Sequence, residues 1–372
     1  MNLVRQPAYW LLVVLVMAGF GIVGYEQLTY LMAYPAAWFL SLLLLAAVAI
    51  PVGFIIYRFD QFEPEPAALI SVALLWGAVV SLSFAAIANS WLLSVLEQLL
   101  SPDQIDSWGA AIVAPIDEEF YKGAGLVMIF FMARNEIDSL MDGLVYGAMI
   151  GLGFQVMENI QYFIHAAAQS GGGQIGPVVG AFFVRVLVAG LYSHMLFTGL
   201  LGFGFAYFLT RRSSPLRVRV AVLGLFVALA WAAHFVWNSP WLDSLIGESA
   251  GTSILALVTK GLPFLILLLL LGILARRREG QAFSRLMEEE VGGDVVTEAE
   301  FVILRSGRRR RAALRRMKRE KGRPARLVLK RLQREQMNLA LFHGKSGASG
   351  HPAVEVQRDK IRELKARLAA FA

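Results

Sequence analysis

The chain has 372 residues, 57% of them hydrophobic and 17% charged, with a mean hydropathy of +0.57. Repeated apolar runs of about 20 residues, each long enough to cross a bilayer, exclude a soluble globule and predict an all-α, polytopic helical membrane protein. The formal charge is +7 and cysteine is absent, which excludes structural disulfides, thiolate metal sites and a cysteine nucleophile.

Hydropathy predicts about eight spans, near residues 9–24, 38–57, 67–90, 108–132, 141–165, 177–209, 217–238 and 253–275. The first follows Arg5 and has no Ala-x-Ala-like cleavage site after it, so it reads as a retained span rather than a signal peptide. The sixth is too long for one straight crossing and predicts a strong tilt or a break around Gly190. Basic residues fall on alternate connections: Arg5, Arg58, Arg134, the group from Arg211 to Arg219, and Arg276 to Arg278. The other connections carry no Lys or Arg. By the positive-inside rule both termini are expected in the cytoplasm, with the chain in a bacterial-type cytoplasmic membrane.

Residues 276–372 hold 25 of the 35 basic residues but 12 of the 28 acids, so they carry +13 and residues 1–275 carry −6. A boundary near Ala275 is expected, with a multi-pass membrane domain over 1–275 and a basic, helical cytoplasmic tail over 276–372. Gly322 to Pro324 separates one tail helix from another. Anionic lipid head groups are the expected partner of the tail, each basic residue near the surface contributing about 1 kcal/mol. No recognition motif supports nucleic acid.

The fourth span contains Ala114-Pro115-Ile116-Asp117-Glu118-Glu119-Phe120-Tyr121-Lys122. A central acidic residue costs about 2.5 to 3.5 kcal/mol on insertion, so this helix requires a polar cavity on at least one face. Later spans add Glu158, His194 and the pair His234 and Asn238. The predicted topology puts Glu118, Glu119, Glu158 and His234 in the outer half of the bilayer, while the depth of His194 depends on the bend in span six. Asp117, Glu118 and Glu119 fan around the helix, so one glutamate is expected to work and the other to pair with Lys122 or Arg185. Asp117, close to Pro115, is expected to cap a helix that starts inside the membrane.

His-Glu-x-x-His, Gly-x-Ser-x-Gly, Gly-x-Gly-Asp and P-loop patterns are all missing. Any catalytic centre is therefore assembled across helices. Spacing of i, i+4 puts Glu118 with Lys122, Phe154 with Glu158, His194 with Thr198, and His234 with Asn238, each pair on one helix face.

Taken in order, Glu118-Glu119-x-x-Lys122, Phe154-x-x-x-Glu158-Asn159, Arg185 followed by His194, and His234-x-x-x-Asn238 resemble the motifs of the PrsW family of intramembrane proteases. That family is related to the CAAX prenyl endopeptidase and bacteriocin-protection proteins. The resemblance covers roughly residues 108–240, including a strip of Gly143, Gly147 and Gly151 suited to close helix packing. It implies cleavage of a membrane-bound protein substrate, for which the family precedent is an anti-sigma factor.

The residues fit hydrolysis in two ways. With zinc, Glu158, His194 and His234 form a His₂Glu ligand set and Glu118 or Glu119 acts as base. Without metal, a glutamate and a histidine activate water while His234 and Asn238 hold the oxyanion, as the CAAX relatives suggest. Lys122, Asn159 and Arg185 are supporting residues, Arg185 as partner of a glutamate or as substrate clamp. His165, His343 and His351 are expected to be solvated. Two other classes remain open on the sequence: a proton-coupled transporter, since intramembrane acids and histidines also build relays, and a membrane scaffold acting through its basic tail.

Overall fold

The computed structural model describes residues 6–60, 62, 65–134, 136–188, 192–241, 250–346 and 351–371. They are helical, with no strand among the described residues beyond an isolated bridge between Val291 and Val296. Two compact units emerge, residues 1–60 with 65–273, and residues 61–64 with 274–372.

The first unit begins with α1 (Pro7–Ala33) and α2 (Pro35–Tyr57), each started by a proline at its first turn, where the missing N–H costs nothing. Both expose large apolar side chains such as Trp10, Phe20, Phe39 and Phe54, as lipid-facing helices do. α3 (Ala67–Leu96) contains a π-helical stretch, Trp76–Ser81. α4 (Pro102–Ala133) carries the acids, and α5 (Leu140–Gln169) is buried along most of its length. Next come α6 (Ile175–Phe182, continuing as the π-helical Phe183–Val188), α7 (Ser193–Thr210) and α8 (Leu216–Asn238). α9 (Ala250–Leu286) ends the apolar part of the chain.

Among the described residues seven helices are long and apolar enough to cross a membrane, with Ile175–Thr210 counting as one, so the chain is an all-α polytopic membrane protein. The eighth expected span is α4. It has the length, but Asp103, Asp106, Asp117, Glu118, Glu119 and Lys122 lower its hydropathy below that of the others. The break expected around Gly190 lies outside the described residues; the turn before it is π-helical.

Close packing of α5 positions everything else. A Cβ added to Gly147 would lie 2.2 Å from the Thr198 carbonyl oxygen, and one on Gly151 2.2 Å from that of His194. On the opposite side, a Cβ at Gly153 would lie 2.1 Å from the Leu74 carbonyl oxygen of α3. Glycines spaced by four therefore let α5 touch α7 backbone to backbone, the way membrane helices associate when lipid tails supply no hydrophobic drive. The start of α5 is fixed by a capping box between Ser139 and Asp142. One turn later Tyr146 donates to Glu65, whose carboxylate shares a buried corner with Asp60 and Asp142.

Asp117 does not start a helix. α4 runs unbroken through Pro115, and both carboxylate oxygens of Asp117 are buried with no hydrogen-bond partner among the described residues. Further along α4, Trp76 of α3 donates to the Tyr121 carbonyl at 2.9 Å, its indole fitting over Gly125.

The second unit has its own apolar core, including Phe283, Met287, Leu304, Leu332, Leu339 and Ile361. It is built from α10 (Glu298–Leu304), α11 (Gly307–Ser346) and α12 (Pro352–Ala369). Gly322, at φ 85°, kinks α11 where the sequence predicted a break. His343 departs from expectation: it is 8% exposed and sits 2.7 Å from Glu290, which Arg358 also grips at 2.6 Å. Burial works to raise the Glu290 carboxyl, but these two partners outweigh it and hold the group below the usual carboxylate range. The pairing therefore contributes stability above about pH 4.3 that is lost as pH falls through the lowered value. Glu290→Gln is expected to cost about 2 kcal/mol at pH 7 and to flatten that acid limb, read by hydrogen exchange of α11 amides in the full chain.

Candidate active site

Five helices, α4 to α8, carry the sequence-predicted residues. Glu118, Glu119 and Lys122 lie on consecutive turns of α4, and Lys122 is fully buried. Its ammonium is 3.3 Å from Glu118 Oε2 and 2.6 Å from Glu119 Oε1. Across from them His194, near the start of α7, puts Nδ1 2.9 Å from Lys122 Nζ and 3.8 Å from Glu118 Oε2. His234 of α8 puts Nε2 3.8 Å from the same Glu118 oxygen and Nδ1 3.0 Å from Glu119 Oε1. One ligand atom each from Glu118, His194 and His234 lie within 4.8 Å of one another, and all three residues are buried.

Glu158 of α5 stands on the other side of His194, with Oε2 3.1 Å from Nε2. Arg185 of α6 reaches Glu158 at 3.3 Å and Asn159 at 3.0 Å, its guanidinium 3.4 Å above the Tyr162 ring. Glu119 also accepts from Thr198. Thus Glu118 and Glu119 both engage Lys122, whereas Arg185 serves Glu158. Three carboxylates here share two cations, which leaves excess negative charge in a buried place and favours a further cation or proton.

Imidazole orientation is over-determined. The Phe197 ring stacks on His234 with centroids 4.6 Å apart, and the two histidine rings meet edge to face at 5.1 Å. Gln155, not anticipated from sequence, accepts from the His194 backbone N–H and donates to Ser193 Oγ at 2.8 Å. It thereby satisfies groups left open at the start of α7. Asn89 of α3, also unanticipated, donates to Glu118 Oε1 at 3.5 Å. The signal for Gln155 was present: with Glu158, Asn159 and Tyr162 it forms one polar face of an otherwise apolar helix. Asn89 stands alone in its span and offered none.

Asn238 is not drawn into the charged cluster; its amide donates to the Ala110 carbonyl at 3.4 Å. It nevertheless lines a cavity of about 930 Å³, whose wall includes Glu118, Glu158, Arg185, His194 and Asn89. His165 is exposed at the same cavity, and His351 caps α12. Lys260 donates to the Ser239 carbonyl at 2.5 Å, just past the end of α8. The donor set of one carboxylate and two imidazoles, each imidazole backed by a second carboxylate, suits a divalent metal.

Residues 65–271 match the model of a family described as PrsW family intramembrane metalloprotease. The chain is 30% identical over 165 residues to Protease PrsW of Geobacillus kaustophilus (strain HTA426), a stretch covering 44% of this chain and 65% of that relative. The matched stretch thus falls just short of two thirds of the relative's length. No solved structure matches. With more than half of its length inside the family match, the chain belongs to the PrsW family of intramembrane metalloproteases.

Proposed function

We propose that the chain is an intramembrane endopeptidase that cleaves membrane-associated protein substrates near the outer half of the bilayer, an anti-sigma factor or another regulatory protein being the substrate class. The observation that carries this reading is the meeting of Glu118, His194 and His234 beside a large cavity lined by both charged and apolar side chains. In tetrahedral zinc sites with bonds of about 2.0 Å, ligand atoms stand about 3.3 Å apart. Separations of 3.8 Å from Glu118 Oε2 to each histidine are close to that spacing. We therefore assign zinc to Glu118, His194 Nδ1 and His234 Nε2. Glu158, read from sequence as a ligand, is better suited as base, because it faces the cavity and reaches His194 through the other ring nitrogen.

When bound, the metal would polarise the scissile carbonyl and lower the pKa of a water beside it. Glu158, which faces the cavity, would take a proton from a cavity water and return it to the leaving amine, held in aim by Arg185. Glu119 accepts from His234 Nδ1 and Glu158 from His194 Nε2, which puts the lone pairs on His234 Nε2 and His194 Nδ1; Lys122 Nζ, 2.9 Å from His194 Nδ1, gives up that contact when a metal binds. Asn89 and Asn238 offer amide donors to the developing oxyanion. Lys122 offsets the charge of Glu118 and Glu119.

Both termini are assigned to the cytoplasm, residues 1–275 to the membrane domain, and 276–372 to a tail that contacts anionic lipid. Comparing membrane-protein N-termini in cells producing the wild type or Glu118→Gln tests the activity. New N-termini in or near spans are expected with the wild type alone. Identical profiles contradict the proposal, and loss of solute flux without changed N-termini supports a carrier instead.

A further inference from the structure

The cavity has a second charged feature away from the metal-ligand trio, contributed by α1, which lies outside the family match. Glu26 of α1 accepts from Tyr30 Oη at 2.8 Å and from Gln161 Nε2, at 3.0 Å to each carboxylate oxygen. All three residues line the cavity. Every one of these donors is neutral, and Glu26 has no ion-pair partner among the described residues. An amide at position 26 would bridge α1 to α5 equally well. Bridging alone therefore does not account for a carboxylate. A carboxylate at the wall of a cavity that mixes polar and apolar side chains, held in place by two neutral donors, is built to receive a cation.

Its distance from the chemistry fixes which cation. Gln161 follows Glu158 by three residues on α5, a rise of about 4.5 Å. An extended peptide advances about 3.3 Å per residue. Adding the reach of the Gln161 and Glu26 side chains, the carboxylate meets a side chain two to four residues from a bond opened at Glu158.

We propose that Glu26, Tyr30 and Gln161 form a substrate subsite that seats a Lys or Arg side chain two to four residues from the scissile bond. The proposal rests on the proteolytic reading of this cavity. It makes α1 a specificity element of this chain.

The test uses full-length Glu118→Gln protein in lipid nanodiscs and 15-residue apolar peptides with a photo-crosslinking group at the centre. In one series Lys is moved through the positions on either side of the centre, and in the matched series norleucine takes its place. At one position within four residues of the centre, Lys should raise crosslinking about tenfold over norleucine. Adding Glu26→Gln, which preserves side-chain volume and the bridge, should abolish the difference, and Glu26→Lys should transfer the preference to a Glu-containing peptide. Equal yields for Lys and norleucine peptides, or a preference that survives Glu26→Gln, overturn the subsite. If the preference follows Glu26 but the chain with Glu118 intact cuts none of the captured peptides, the subsite stands and the proteolytic reading falls.

Discussion

His234→Ala is expected to abolish metal binding and to reduce cleavage by at least about 10³-fold, because it removes a ligand and with it the several kcal/mol that a Lewis acid supplies. Glu158→Gln should behave differently. The glutamine keeps the volume and can still contact Arg185, so bound metal should be retained while turnover falls by about 10² to 10⁴. The contrast follows from the geometry: His234 Nε2 faces Glu118, whereas Glu158 lies behind His194 Nε2 and lines the cavity. Metal content and cleavage measured on the same detergent-solubilised preparations separate the two phenotypes.

Gly151→Ala is the second large effect, although position 151 touches no charged side chain of the site. A Cβ there would lie 2.2 Å from the His194 carbonyl oxygen and 2.5 Å from its carbon. Neither atom can rotate away, so α5 and α7 must separate by about 1 Å, at a cost of about 2 kcal/mol or more. His194 belongs to one helix and Glu158 to the other, so the same displacement opens their 3.1 Å contact. A misplacement of that size costs about 10²-fold in rate. Thermal unfolding and turnover should therefore both drop, whereas Gly21→Ala, with nothing within 4 Å of the new Cβ, should leave both within error.

Much of this site was legible in the chain because lipid makes charge expensive. Glu118, Glu119, Lys122, Glu158, His194 and His234 stand out of apolar helices, and the strip Gly143, Gly147, Gly151 announced a close helix contact. What the sequence left open was direction. The sequence reading made Glu158 the ligand and Glu118 or Glu119 the base, whereas the distances put Glu118 facing both imidazoles and Glu158 facing an arginine. Amides were missed for a related reason: Gln155 and Asn89 carry no charge, and uncharged polar residues are frequent in helix contacts. Asp117 beside Pro115 looked like a helix start, but α4 runs unbroken from Pro102 to Ala133. His343 was expected in solvent and is buried because its partner Glu290 lies 53 residues away, beyond the reach of any local pattern.

Zinc K-edge X-ray absorption on the full chain, purified with zinc as wild type, Glu118→Gln and Glu158→Gln, tests the central assignment most directly. The account predicts two imidazole nitrogens and a carboxylate oxygen at about 2.0 Å in the wild type. Glu158→Gln should leave this spectrum unchanged, and Glu118→Gln should lose the carboxylate oxygen or the metal. A spectrum altered by Glu158→Gln but not by Glu118→Gln, or a wild type that cleaves at full rate after complete metal removal, would contradict it.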